Sequence, residues 1–526
     1  MFGDCYKKSF SPNVTTSTSF LYSYSKMKIL RMAQPIGSPS TQTSHEELVR
    51  EIDMLFLLIM AVDVYFMQSG FLILECGAIP RPNMTFMLLK NVLNSFVGSL
   101  SYWLIGYSLA YGKGGLVLGS VSSDVASANW AHWFFQLVFA ATATTIVSGA
   151  IAENVHPVPY MVYSFAITAF IYPVVTHWAW TGEGWLSTGI EGCCECIQVN
   201  NSTDCNATFT VTYQDFAGSG VVHLLAGTTA LMGAVLLGHT RDELEDKSQP
   251  PPIPCRTVPL AALGAFILFF GFLAFNGGSQ GSITNKGDAE AVALAMVNTF
   301  LCGATAGLTS LAATSVIHHI IGGSHKFSFL VIINGSLTGM VAVCAGCNIM
   351  QPWAAAINGI IAGLTYKVWS FIIIYFRIDD PLEAVPVHAG GGLWGVIAAA
   401  LLTKDGVFFQ LGRKSVYRLA WHLIAILAIA GWAFGISLLM FGLLRLFRIF
   451  VSKKSDNIEN QVTPEKQPSD NEIDLGVGIG EEEYKRLSNQ SKRASTGSRG
   501  SKPFNLFSHI SEPDGNQAVP DHSHLE

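Results

Sequence analysis

The chain has 526 residues, half of them apolar, only 13% charged, with a formal net charge of −6. A soluble domain carries roughly 25% charged residues to cover its surface. The composition therefore excludes a soluble globular protein, pervasive disorder, a basic nucleic-acid binder and, with ten Cys over this length, a disulfide scaffold. A polytopic membrane protein remains.

Residues 1–50 are polar and are expected to form an extracellular N-terminal segment. No cleavable signal is expected, because no short apolar core precedes the first long apolar block. Between about 51 and 452 the apolar blocks run at 54–76, 86–111, 131–152, 159–180, 215–238, 257–276, 289–311, 327–346, 351–376, 386–403 and 417–450. Each is about long enough to cross the hydrocarbon core as a helix. Their hydrophobicity is continuous and not alternating, which argues against a barrel. The sequence thus predicts an all-α polytopic membrane protein with eleven transmembrane helices. Residues 453–526 are rich in Ser, Asn, Lys and Glu and are read as a largely disordered cytoplasmic tail. Lys492-Arg493-Ala494-Ser495 within it has the form of a basic-directed kinase site or is a chance match.

The long loop 181–214 holds Cys193, Cys194, Cys196 and Cys205 beside the glycan-acceptor positions Asn200, Asn201 and Asn206. Disulfides and glycans belong on the non-cytoplasmic face. Four spans precede this loop, so the N-terminus is expected outside and, after eleven spans, the C-terminus in the cytoplasm. Basic clusters after the fifth and the last span agree with this orientation; Lys404, Arg413, Lys414 and Arg418 oppose it. The loop lacks paired Cys-x-x-Cys knuckles and has no His, so a zinc site is not expected.

A short repeat links the two halves. Val222-His223-Leu224-Leu225-Ala226-Gly227 in the fifth span matches Val387-His388-Ala389-Gly390-Gly391-Gly392 in the tenth. This suggests a five-plus-five inverted repeat with a site at its interface. His inside a span is costly and usually functional; here the two are either a facing pair or two unrelated His bonded to backbone. An acid precedes each His: Asp215 in one half, Glu383 in the other. Asp215 reads as a helix cap, a stabiliser of an approaching cation, or both. Phe135 and Phe139 share one helix face, open to lipid contact or to an aromatic site. Trp180 ends the fourth span as an interfacial belt residue or as part of a cation-binding vestibule, and Asn276-Gly277-Gly278-Ser279 could hydrogen-bond the same guest. No nucleophile–base arrangement, nucleotide loop or metal cluster stands in the spans, so no enzyme, cofactor or metal is expected. His318, His319 and His325 are read as one solvated loop.

Asp215-Phe216-Ala217-Gly218-Ser219-Gly220-Val221-Val222-His223 resembles the fifth-helix pattern of the ammonium transporters of the Amt/Mep/Rh superfamily. Phe275-Asn276-Gly277-Gly278-Ser279 resembles their sixth-helix motif. Asp379-Asp380-Pro381 with His388 resembles the start of their tenth helix, and Met67-Gln68-Ser69-Gly70-Phe71 with Glu75 is similar to their first. The likeness covers about residues 50–450, and the Amt branch fits better than the Rh branch. It implies a plasma-membrane homotrimer with one pore per subunit and ammonium or ammonia as the substrate. It implies further that Trp180, Phe135 and Ser279 recruit ammonium, that Phe139 and Phe275 gate, that His223 and His388 line the pore, and that Asp215 maintains the site. Phe272 stands where many members have Trp near the mouth, and Glu383 where many have Asp. The region from Ile473 to Tyr484 only loosely matches the family's gating segment. The alternatives are an ammonium sensor signalling through its tail and a neutral Rh-type gas channel.

Overall fold

A computed structural model describes residues 41–78, 84–112, 130–152, 157–199, 202–238, 257–320 and 328–449. The tail, and with it Ser495 and the 473–484 segment, lies outside these residues.

Every apolar block forms a helix. The helices are α1 (Thr41–Ala78), α2 (Met84–Ser101, continuing through Tyr102–Gly106 to Tyr111), α3 (Trp130–Ala150) and α4 (Pro157–Ala166, continuing through Ile167–Ile171 to Trp180). After the long loop come α5 (Ser219–Leu224 and Leu225–Leu237), α6 (Val258–Gly278), α7 (Asp288–Ile320) and α8 (Phe329–Val343). The series ends with α9 (Pro352–Tyr375), α10 (Val385–Gly390 and Gly391–Leu402) and α11 (Arg413–Leu446). Among the described residues nine helices are long and apolar enough to cross a membrane; α2, with its internal break, and the shorter α8 complete the set. The chain is a multi-pass membrane protein. Since α7 runs to Ile320, residues 318 and 319 are helical and not in a loop; His325 lies outside the described residues.

The outer surface fits a lipid solvent. Phe266, Phe300, Phe371, Ile374 and Leu427 are exposed, an arrangement that water would penalise and hydrocarbon tails do not. Inside the bundle, hydroxyls answer to the backbone. Thr142, Thr144 and Thr145 each donate to the carbonyl one turn earlier, at Val138, Ala140 and Ala141, because no water is available to satisfy them. The helices α1 and α6, counterparts in the two halves, pack closely through small residues. A Cβ on Gly77 would lie 2.3 Å from the backbone nitrogen of Ala261, and one on Gly264 would lie 2.3 Å from that of Leu74. Such contacts let backbones approach and gain dispersion energy.

Among the described residues four helices contain a π-helical turn: Tyr102–Gly106, Ile167–Ile171, Ser219–Leu224 and Val385–Gly390. Pro173 explains the second, since it has no N–H and its ring crowds the carbonyl a turn before it. The third and fourth carry His223 and His388, so the inverted repeat extends to local backbone geometry.

The loop 181–214 contains an antiparallel hairpin, β1 (Ile190–Val199) with β2 (Ser202–Val211). The all-α expectation needs this one amendment. The β-branched residues Ile197, Val199, Thr203, Thr208, Thr210 and Val211 favour strands. The register pairs Glu195 with Ala207 and Ile197 with Asp204, so residue 196 runs opposite the 205–206 segment. Asn200 and Asn201 lie outside the described residues, as do the side chains of Cys193, Cys194, Cys196, Cys205 and Asn206.

Candidate transport pore

The site is built where α5 and α10 cross. Gly227, four residues after His223, packs on the backbone beside His388: a Cβ there would lie 2.2 Å from the nitrogen of Ala389. Gly392, four residues after His388, does the same in return, with 2.5 Å to the Ser219 carbonyl and 2.7 Å to the Leu224 nitrogen. This reciprocal contact is the physical content of the repeated Val-His…Gly motif. It brings the imidazoles together, with Nδ1 of His223 3.2 Å from Nδ1 of His388 and the rings 15° from parallel. Both are buried. The facing-pair reading of the two His therefore holds.

That geometry fixes a division of roles. For the two Nδ1 atoms to bond, one must carry a hydrogen and the other must not. In a neutral pair, the donor ring then has a bare Nε2, and the acceptor ring carries its hydrogen on Nε2. The pair presents one donor and one acceptor away from their shared bond. Nε2 of His223 is buried and has no partner among the described residues, so it can face a guest.

Next to His223 two phenyl rings lie face to face. The Phe139 and Phe275 centroids are 3.9 Å apart and the planes 16° from parallel; Phe275 is 5.6 Å from the His223 ring. Phe135 is 4.7 Å from Phe139 and Trp180 6.0 Å. Phe135 and Phe139 are buried, which removes lipid contact as their role. Trp180 is half-buried, and its indole N–H donates to the Asp215 carbonyl at 2.7 Å, so it is anchored in the protein. The Ser279 hydroxyl donates to the Phe275 carbonyl at 2.8 Å. Its hydrogen is committed and its lone pairs remain, as a hydrogen-bond donor such as ammonium requires. Phe272 lies 5.7 Å from the His223 ring. It flanks the His pair and not the mouth, where its departure from the family pattern was expected to matter.

Asp215 is a capping carboxylate. Its Oδ1 accepts from Gly218 N, and its Oδ2 accepts from Gly220 N at 2.9 Å, Val221 N at 2.8 Å and the Tyr213 hydroxyl. The turn needs glycine at 218, where φ is +95°. In the second half Glu383 does not play this part. Asp380 does, accepting from Ala384 N at 3.0 Å and Val385 N at 2.8 Å. Glu383 turns instead to side chains: Asn334, Ser370 and Tyr366 all donate to it. The pairing of Asp215 with Glu383 is corrected on this ground. Asp380 stands in the Asp379-Asp380-Pro381 motif, and its spacing to His388, the same as that of Asp215 to His223, is the signal in the sequence that identifies it.

The model of the Ammonium Transporter Family matches residues 55–465. The chain belongs to that family. Putative ammonium transporter 1 of Caenorhabditis elegans is 41% identical over 416 residues, covering 75% of this chain and 74% of its own length. Ammonium transporter Amt2 of Archaeoglobus fulgidus is 34% identical and covers 78% and 86%. A solved structure named Sensor Amt Protein superposes with a TM-score of 0.67 at 27% identity, covering 80% of this chain and all of its own. Ammonium-transporter membership makes the chain a membrane transporter and not an enzyme, with ammonium or ammonia as its substrate.

Proposed function

We propose that this ammonium transporter recruits ammonium at Trp180, Phe135 and Ser279, removes its proton behind the Phe139–Phe275 gate and passes ammonia along His223 and His388. The reading is carried by one observation: two buried imidazoles joined Nδ1 to Nδ1 directly behind a stacked phenyl pair. Ammonium and potassium share charge and similar size, so selection must use chemistry. Ammonium donates directional hydrogen bonds and can lose a proton; potassium can do neither. An alkylammonium has a pKa of about 10, so the free substrate is charged at neutral pH. A bare charge is costly inside the membrane. At the mouth, ring faces replace part of its water at about 0.5–2 kcal/mol each, and the Ser279 oxygen accepts a hydrogen bond. Deeper in, desolvation favours the neutral form.

The working unit in this reading is a plasma-membrane homotrimer with its N-terminus outside, its C-terminal tail in the cytoplasm, and a disulfide-bonded, glycosylated outer loop. The test is ammonium-evoked current from the purified protein in liposomes, with potassium as competitor. Saturable current that potassium does not carry is the expected result; equal currents from both ions would reject the reading. A second reading, a sensor signalling through its tail, draws on the solved structure named Sensor Amt Protein. Removal of the tail from Lys453 separates the two, since conduction survives that deletion and signalling does not.

A further inference from the structure

From the aromatic mouth, α1 runs past Phe71, whose ring is 6.4 Å from that of His388, to Glu75 about one turn further from Trp180. There a cavity of about 30 Å³ opens, room for about two water-sized guests. Most of its wall is apolar, and His388, Thr145, Asn334 and Glu75 are its polar lining. The Thr145 hydroxyl, which donates to the Ala141 carbonyl, is 2.5 Å from the side-chain amide of Gln68, and the other polar atom of that amide is buried with no partner among the described residues. A buried polar atom in this condition calls for water.

Glu75 forms an ion pair that the proposed transport path does not use. Its Oε2 is 3.4 Å from Lys90 Nζ, and the two side chains are 1% and 0% exposed. Asn91 donates to Oε2 at 2.7 Å and the Ser148 hydroxyl to Oε1 at 2.6 Å. Lys90 also donates to the Ser148 carbonyl at 3.3 Å and lies 4.9 Å from the Tyr160 ring centre. As a source of stability such a pair is a poor choice, because desolvating two charges offsets their attraction. An ionisable group within a membrane bundle more often marks a proton or ion path.

We infer that Glu75 is the proton acceptor that drains the twin-histidine pair, and that Lys90 is the positioning residue that holds its carboxylate at the cavity. When the pair carries an extra proton, an N–H bond of His388 breaks. The proton passes to a water in the cavity, and a proton of that water forms an O–H bond on Glu75. The ring returns to its neutral form and the water is regenerated. Loss of the proton from Glu75 to the solvent on the far side restores the carboxylate. The Lys90 ammonium, 3.4 Å from Oε2, fixes the carboxylate in place for the next proton.

The inference rests on reading the His pair as proton-carrying, and the experiment separates the two. Current and net ammonia flux are measured side by side on the parent, E75Q/K90M and E75D proteins in liposomes. The double variant removes both charges at once and leaves no unpaired ion, whereas E75D keeps the pair and draws the carboxylate back from the cavity. The expected result is a fall in the ratio of charge to flux of about tenfold or more in E75Q/K90M, and about threefold in E75D. A merely structural pair would lower current and flux together and leave the ratio alone. The parent ratio in either variant overturns the role of Glu75, and so does a parent whose flux carries no charge. Absence of any flux in the parent rejects the transport reading itself. Should E75Q/K90M fail to insert, E75D alone decides.

Discussion

Asp215 and Asp380 occupy equivalent places in the two halves: each precedes its pore histidine by the same interval, and each receives backbone N–H bonds from the first turn of the helix that carries that histidine. Hydrogen bonds to a charged partner contribute about 1.5–3 kcal/mol. Asp215→Asn and Asp380→Asn each place an amide N–H₂ against a backbone donor, so both should lower the thermal unfolding midpoint of the purified protein and reduce uptake. The Asp215 change should be the more damaging, because this carboxylate holds three backbone donors and a tyrosine. Melting curves that match the parent for Asp380→Asn would remove it from this role.

Gly227 and Gly392 hold the halves at contact distance. An added methyl at either must push α5 from α10, since the atoms it would meet are backbone. Overpacking of this kind costs about 1–3 kcal/mol. Gly227→Ala and Gly392→Ala are expected to lengthen the His223–His388 bond and to cut ammonium uptake, with protein still present in the membrane. Full uptake in both variants would show that the close crossing does not matter for transport.

Trp180 offers two separable contributions, a ring face and an N–H that anchors it to Asp215. Loss of the ring in Trp180→Leu should raise the half-saturating ammonium concentration, by up to about thirtyfold for a 2 kcal/mol contact. Trp180→Phe keeps a ring and loses the anchor, and should fall between. Concentration dependence of the current measures both; an unshifted half-saturation in Trp180→Leu would take the residue out of the recruitment site.

In the proposed mechanism His223 and His388 exclude potassium by keeping the passage free of fixed negative charge. His223→Asp or His388→Asp introduces a fixed negative charge beside the gate. Potassium current should appear in either variant while ammonium current persists. Variants that carry full ammonium current and still reject potassium would reduce the pair to a structural hydrogen bond between halves.

The hairpin of β1 and β2 carries the remaining prediction. At least one disulfide is expected among Cys193, Cys194, Cys196 and Cys205, with residues 196 and 205 on facing stretches of the two strands. An impermeant thiol reagent applied to intact cells should label the loop fully only after reduction. Glycosidase treatment should shift the apparent mass if Asn200, Asn201 or Asn206 is modified.

Much of this was legible in the sequence because bilayer physics writes it in composition. A span must be about twenty apolar residues long, so each helix had a block to announce it. The candidate pore residues were legible as well, since His223 and His388 stand in matching motifs, Phe275 in a resembling one, and Phe139 one helical turn from Phe135. Tertiary structure alone decided the rest. Phe135 and Phe139 are sequence neighbours on a helix face that lipid could equally have covered; burial against α6 settles their direction. Asp380 and Glu383 are three apart, and only the π-helical turn after them determines which carboxylate meets the backbone donors and which meets Asn334, Ser370 and Tyr366. Lys90 is a single charge in an apolar block of the sequence, and its partner Glu75 belongs to another helix. Local patterns report how a segment meets its solvent. Which side chains meet each other depends on how α1, α5 and α10 cross, and that is a property of the packed bundle.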